Sequence, residues 1–500
     1  MSDRRVAARD RRIAAAESAF IRPVQEHLNN AEESDYPFVA NYSKGMPHND
    51  DGVMRPDGYL ALLRALSTRR WEDFEAIPLG GKRNSRRLTN PQAGLAFDLE
   101  GPDAQAVALP PAPRIDSAQN SAEMVELYWM ALARDIPFTD YQKDPLVERA
   151  ADELSSMSDF RGPKENYRVT PNVLFRGTSP GELPGPYVSQ FMYHDVPFGT
   201  LLIQQRQDTV KPNLDYVIDW KTWLDVQNGE EQPEAERNHG ERRYLQTARD
   251  LAHYVHFDIL YQAYLNAALI LLKMNAILDF GNPYEYSQNQ VGFATYGPPQ
   301  IQSLVTEVAT RALKAVWYAK WFVHRRMRPE EFGGRIHAHK TGLRDFPMIH
   351  QEVLDSAALK AILDRYKSYL LPQAFPEGSP VHPSYGAGHA TVAGACVTVL
   401  KAWFCESFVL PNPVVPDRTG TRLVPYDGPE PLLVGGELNK LATNIATARN
   451  MAGVHWRTDA SESLKLGEAI AIDFLREHKE MTSEDATFTL SRFDGTTIFI

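Results

Sequence analysis

Three stretches of this sequence put charge or imidazole where a helix should bury apolar surface. In the helix leading into "KWFVHRRMRP" (320–329), Leu313, Trp317, Lys320 and His324 are spaced four, three and four, so they share one face that Lys320 interrupts. Arg328 follows eight residues after Lys320, roughly 80° round the helix, and Pro329 ends it. In the second stretch, Leu438, Leu441, Ile445, Arg449 and Ala452 form an apolar stripe, with Gly453 and His455 just beyond. An arginine there must be paired or must hold an anion, because an unpaired buried charge is costly. The third stretch, "HPSYGAGHATVAGACVTVLKAWF" (382–404), runs from His382 through Gly-Ala-Gly into His389 and a long apolar run. A glycine-rich turn feeding a helix exposes free N–H groups, and the helix dipole adds partial positive charge. Gly388 lets the backbone approach an anion closely, and His389 stands where it can exchange a proton.

Each stretch alone has a plainer account. The first reads as a basic surface patch with snorkelling stems. The second reads as an arginine paired with a carboxylate from the N-terminal half, followed by a capping histidine. The third reads as packing glycines and another cap. Together, one lysine, two arginines, a helix N-terminus and two histidines point to one object, a compact oxyanion such as phosphate or vanadate. The planar fork of arginine suits such oxygens. A histidine in that company serves as acid or base, or bonds directly to the phosphorus or metal.

The elements that must position these groups are helical. Periodicity predicts helices over 3–32, 119–134, 144–156, 241–276, 299–327, 350–370, 388–408, 437–454 and 460–478. Strand signals are sparse, limited to a hairpin around 421–434 and a short terminal "TTIFI". The expected fold class is therefore all-α, with minor β-hairpins. The Pro-rich 101–114 reads as a linker or extended loop, and the polar 227–243 as a second break. That break divides an N-terminal helical and loop-rich region, 1–240, from a C-terminal helical bundle, 241–500, that carries all three stretches.

Five hundred residues are too many for one hydrophobic core. A net charge of −11 argues against general affinity for nucleic acid or anionic membrane. The densest apolar run, "AALILL" (267–272), is too short to span a bilayer, and the charged N-terminus lacks a signal-peptide apolar core. A cytoplasmic protein is expected. Cys396 and Cys405, nine residues apart on one predicted helix, would stand about 13 Å apart, too far for a disulfide; they are expected to be buried reduced thiols. Over 3–32, Ile13, Ala14 to Ala16 and Phe20 on a charged background would pack against another subunit or within the same chain.

The three stretches, in this order, resemble the signature of the superfamily that joins vanadium haloperoxidases to type-2 phosphatidic acid phosphatases. The family's lysine, spacer and Arg-Pro correspond to Lys320, seven residues, and Arg328-Pro329; the phosphatase form has six between, the algal haloperoxidase form seven. Its Pro-Ser-Gly-His is here Gly386-Ala387-Gly388-His389, and its Ser-Arg, five residues, His is here Ala448-Arg449 and His455. "FVANYSKGMPHNDDG" (38–52) and "GPYVSQFMYHDVPFG" (185–199) also resemble the red-algal and cyanobacterial bromoperoxidase branch. The resemblance implies helical bundles of the vanadium haloperoxidase and acid phosphatase type, with vanadate as cofactor. His455 would bond to vanadium. Lys320, Arg328, Arg449 and the Gly388 amide would balance the equatorial oxygens. His389 would act as acid–base beside the apical oxygen. Hydrogen peroxide would replace vanadate oxygens, Lys320 would polarise the bound peroxide, and halide would attack it to give hypohalous acid for a small organic acceptor. His382 would lie near the peroxide. Trp317 stands where brominating algal members tend to have arginine and chlorinating fungal members tryptophan, which implies a mixed halide pocket: bromide and iodide, with room for chloride. An oligomer built from dimers is also implied.

Two departures stand out. Ala387 replaces a serine whose hydroxyl would donate to an equatorial oxygen, a loss worth roughly 1.5–3 kcal/mol. Ala448 replaces a second, more remote serine. Asp258, in "HFDILYQAY", is a candidate to orient His389 or to pair Arg449. The alternative functions are an acid phosphatase on the same residues, with His455 as nucleophile and His389 protonating the leaving group, and a non-catalytic helical assembly protein.

Overall fold

A computed structural model describes residues 3–81, 85–99, 101–233 and 240–500. The helices that matter here are α1 (Arg4–Ile21), α2 (Ala118–Leu132), α3 (Ala248–Phe257), α4 (Gln262–Lys273), α5 (Pro298–Tyr318), α6 (Pro329–Thr341), α7 (Gly388–Trp403), α8 (Val434–Met451) and α9 (Arg457–Met481). α7 is the axis of the molecule. Its residues from Ala390 to Trp403 are all buried, as expected of a helix apolar all round, and α5, α8 and α9 pack around it. α7 and α9 meet through glycine: a Cβ on Gly394 would stand 2.1 Å from the Leu464 carbonyl oxygen, and one on Gly467 2.0 Å from that of Thr391. The principal apolar core draws on residues as far apart as Ala40 and Phe493.

The fold is mainly α, with three two-stranded antiparallel hairpins among the described residues. β1 (Val196–Phe198) pairs with β2 (Leu201–Ile203), β3 (Val414–Pro416) with β4 (Leu423–Pro425), and β5 (Thr489–Ser491) with β6 (Thr497–Phe499), the expected terminal strand. The hairpin expected over 421–434 lies earlier, because the turn is made by Asp417, whose carboxylate accepts from the Thr421 and Arg422 amides, and by Gly420 at φ +71. Leu433 only bridges to Val409.

Several helix boundaries differ from the periodicity. The helix expected over 3–32 stops at Ile21, since Arg22 precedes Pro23 and is extended. The one expected over 241–276 is two helices, α3 and α4, bent by 100° at a break that contains Asp258. The 299–327 segment is α5 followed by a π-helical turn, Ala319–His324, which ends at Arg325 with φ +41. The 350–370 segment is two shorter helices, Gln351–Leu354 and Ala357–Tyr366. α6 carries no readable stripe because it is buried on every side from Pro329 to Ile336. Part of the 227–243 break, residues 234–239, lies outside the described residues. Cys396 and Cys405 are free and buried. Among the described residues no single helix is long and apolar enough to cross a membrane.

Candidate oxyanion site

The π-helical turn after α5 drives Lys320 fully into the interior, where Nζ donates to the Pro383 and Ser384 carbonyls at 2.9 Å each. The Trp317 ring lies 5.6 Å from that ammonium and 4.8 Å from the His382 ring. Burial, then the neighbouring Arg328 and Arg449, hold the Lys320 amine well below its ordinary pKa. Arg328 caps α6. Its Nε donates to the His382 carbonyl at 2.9 Å and its Nη1 to the Val454 carbonyl at 2.8 Å. Nη1 also meets His455 Nε2, and Nη2 meets His382 Nδ1, both at 2.9 Å. Burial lowers the Arg328 pKa to about 10.

The backbone N–H of Arg328 donates to Glu331 Oε2 at 2.6 Å, and Glu331 Oε1 accepts from the Ser43 amide and hydroxyl, both at 2.7 Å, and from the Lys44 amide at 3.0 Å. Lys44 itself pairs with Glu330 at 2.9 Å, both side chains fully buried. The segment 38–52 is thereby pinned to the helix start that presents Arg328.

Gly453, at φ +86, turns the chain after α8 so that His455 faces back into the site. Its Nδ1 is 2.9 Å from Asp459 Oδ2. A carboxylate only accepts, so Nδ1 carries the proton and Nε2 presents its lone pair. Burial, with Arg328, Lys320 and Arg449 nearby, keeps this imidazole neutral to well below its usual pKa. Asp459 also accepts from Arg326 Nη1 at 2.9 Å, from the Trp456 amide at 3.1 Å and from the Ser384 hydroxyl.

Arg449, on the inner face of α8, donates through Nη1 to the Val255 carbonyl at 2.9 Å, while its buried Nε has no hydrogen-bond partner among the described residues. Burial lowers its pKa to about 10, against the pull of Asp258 and Glu377. His389, in the first turn of α7, donates Nε2 to Asp258 Oδ1 at 3.0 Å. Its side chain is 32% exposed, and so marks the mouth. The α3–α4 break is what turns Asp258 toward it. At the N-terminus of α7 the Ala387 amide is taken by Ser463 Oγ at 2.8 Å, and Ala387 offers no side-chain cap. The next three amides, of Gly388, His389 and Ala390, precede the first bond of the helix, which the Thr391 amide donates to the Ala387 carbonyl at 3.0 Å. A Cβ on Gly388 would come within 3.1 Å of the Trp317 ring.

All eight residues singled out from the sequence (Trp317, Lys320, Arg328, His382, Gly388, His389, Arg449 and His455) line this one region. Asp258 holds His389 and also pulls on Arg449. Asp459, Glu331 and Ser384 were not foreseen. For Asp459 a readable signal exists, a carboxylate in the first turn of α9, where it accepts from the Trp456 amide that caps the helix, next to His455; Ser384 and the contacts of Glu331 with Ser43 and Lys44 depend on partners distant in sequence.

The family description "VCPO second helical-bundle domain" matches residues 302–484, which include all eight of these residues. A vanadium-dependent bromoperoxidase of Corallina officinalis is 38% identical, over all of this chain and 99% of its own length. One of Ascophyllum nodosum is 35% identical over 94% of this chain and 87% of its own. The chain belongs to the vanadium-dependent bromoperoxidase family. Its fold is shared with the second vanadate-dependent bromoperoxidase of Ascophyllum nodosum, a homohexamer, at a TM-score of 0.95 and 29% identity over 99% of this chain and 90% of that one.

Proposed function

We propose that this chain is a vanadate-dependent haloperoxidase that uses hydrogen peroxide to oxidise bromide and iodide, and chloride to a lesser extent, for halogenation of a small organic acceptor. The observation that carries the reading is the surplus of buried positive charge around His455. Lys320, Arg328 and Arg449 converge there, Arg449 Nε has no hydrogen-bond partner among the described residues, and α7 starts at Gly388 beside Trp317. A tetrahedral oxyanion would satisfy these donors, so the residues fit vanadate. His455 Nε2 would hold it, with Lys320, Arg328, Arg449 and the Gly388 amide around its oxygens. Vanadate, when bound, supplies a Lewis-acidic centre that activates hydrogen peroxide toward halide.

The protein's part is preorganisation. Asp459 fixes the His455 tautomer, as outer partners of metal-ligating histidines do. His389, with Nε2 committed to Asp258, has Nδ1 left to hold or pass a proton at the mouth. Lys320, pinned by two carbonyls, directs its charge at the bound oxygens. Trp317 and His382 wall the halide side. A homo-oligomeric assembly is part of the same reading, supported by the homohexameric relative.

The test is bromination of a simple β-diketone by purified apo-protein with hydrogen peroxide, with and without orthovanadate. Activity that requires vanadate and falls with excess phosphate is expected. Absence of bromination at every vanadate concentration, with hydrolysis of phosphate esters instead, overturns the reading. Chloride oxidation at background level would remove chloride from the halides.

A further inference from the structure

α1 is an 18-residue helix with no buried residue. It touches its own chain sparingly: Arg11 Nη1 donates to the Glu480 carbonyl at 2.9 Å, and Arg22 just beyond it pairs with Glu477 at 3.2 Å. Helices in proteins draw most of their stability from packing an apolar face. Its apolar side chains are not scattered. Val6, Ile13 and Phe20 recur at seven-residue spacing, the period of a helix-packing seam, and are 44%, 48% and 88% exposed. Glu477 also accepts from the Gly101 amide at 2.5 Å, which brings the loop carrying Phe97 and Leu99, 85% and 97% exposed, beside the end of α1. Exposed apolar side chains grouped at one end of the chain in this way mark an interaction site.

Charge selects the partner. Residues 4–21 carry five arginines against Asp10 and Glu17, a net +3 on a chain whose total is −11, so the rest of the chain carries −14. Two α1 helices laid together would oppose like charges, whereas the body of another copy offers the opposite sign. We propose that α1 is an assembly arm: it docks on the body of a second copy of this chain, with Val6, Ile13 and Phe20 buried and the arginines on acidic surface. The inference rests on the homo-oligomeric part of the proposed function and is independent of the chemistry. α9 runs about 33 Å from Asp459 to the end on which α1 rests, so the arm is remote from the site.

The experiment is light-scattering mass on a sizing column for the full chain and for an Ile13→Asp/Phe20→Asp variant, with circular dichroism and vanadate-dependent bromination per subunit as checks on folding. The parent is expected to be a multimer, and the variant to dissociate to a smaller species at protein concentrations at least about tenfold higher than the parent does, with bromination retained. An Arg9→Glu/Arg12→Glu variant is expected to weaken assembly in the same direction, and added salt to weaken the parent. A folded Ile13→Asp/Phe20→Asp variant with the parent's mass overturns the arm alone. A monomeric parent overturns the oligomer and the arm together and leaves the chemistry standing. Flotation of the parent with phosphatidylserine vesicles, lost in a variant of unchanged mass, assigns α1 to a lipid surface and overturns the second copy.

Discussion

His455 and Asp459 show how one carboxylate decides what a histidine can do. With Nδ1–H donated to Asp459 at 2.9 Å, Nε2 is the nitrogen that carries the lone pair, which here accepts from Arg328 Nη1 at 2.9 Å. Asn at 459 leaves the shape but offers an amide that favours the other tautomer and removes the charge shared with Arg326. Asp459→Asn is expected to weaken vanadate binding by about 10–100-fold, measured by titration calorimetry on the apo-protein; an unchanged dissociation constant would show that Asp459 serves folding alone. Ala387 is the opposite case. It starts α7 with no side-chain donor beside the anion, so Ala387→Ser, adding one hydrogen bond to a charged oxygen, is expected to tighten vanadate by at least about tenfold. The same titration checks it, and equal affinity means the hydroxyl caps its own helix instead.

At the scale of elements, the sequence was readable wherever a charge interrupted an apolar stripe. Lys320 and Arg449 stand out because α5 and α8 are otherwise regular, and His389 because a glycine turn precedes a helix apolar all round. It was unreadable where burial is complete or where an extra residue is inserted. α6 is buried on every side and has no period, the π-helical turn shifts Lys320 and Arg328 without any signature, and the bend at Asp258 leaves the apolar spacing of α3 and α4 intact. The contact of α7 with α9 depends on two glycines whose need for close approach only packing shows. α7 carries Gly388 and His389 and α9 carries Asp459, so this contact sets the distance across the site. Gly467→Ala, placing a methyl 2.0 Å from the Thr391 carbonyl oxygen, must push the helices apart. It is expected to cost about 1–3 kcal/mol or more in urea unfolding and to weaken vanadate binding. A variant as stable as the parent would mean the helices separate freely.

For the whole molecule, the buried histidines set the response to acid. His48 and His324 are not among the residues that would hold the anion, and burial foremost, with nearby Arg335 for one and His27 and Arg325 for the other, lowers each pKa from 6.5 to about 3. Unfolding at pH 3–6.5 therefore takes up protons, so this stability is complete above about pH 6.5 and is lost as pH falls toward 3. The slope is up to about 1.4 kcal/mol per pH unit for each histidine. Glu32 acts with the opposite sign: burial raises its pKa from 4.5 to about 7, so its folded form keeps a proton that the unfolded chain releases between those values. One histidine is thereby offset from about pH 6.5 down to 4.5. Below 4.5 the offset ends, and Glu377, which His256 holds at about 2 against burial, adds a loss of the same sign as the histidines. The urea midpoint is expected to decline gently from pH 7 to 5 and steeply below 4.5. Both ring nitrogens of His324 lack a partner among the described residues and the ring meets Tyr385 edge-on, so His324→Phe keeps the packing while removing one titrating group. It is expected to reduce the slope below pH 4.5 by about 1.4 kcal/mol per pH unit, and an acid limb identical to the parent's would show that His324 is not among the groups that unfold this fold.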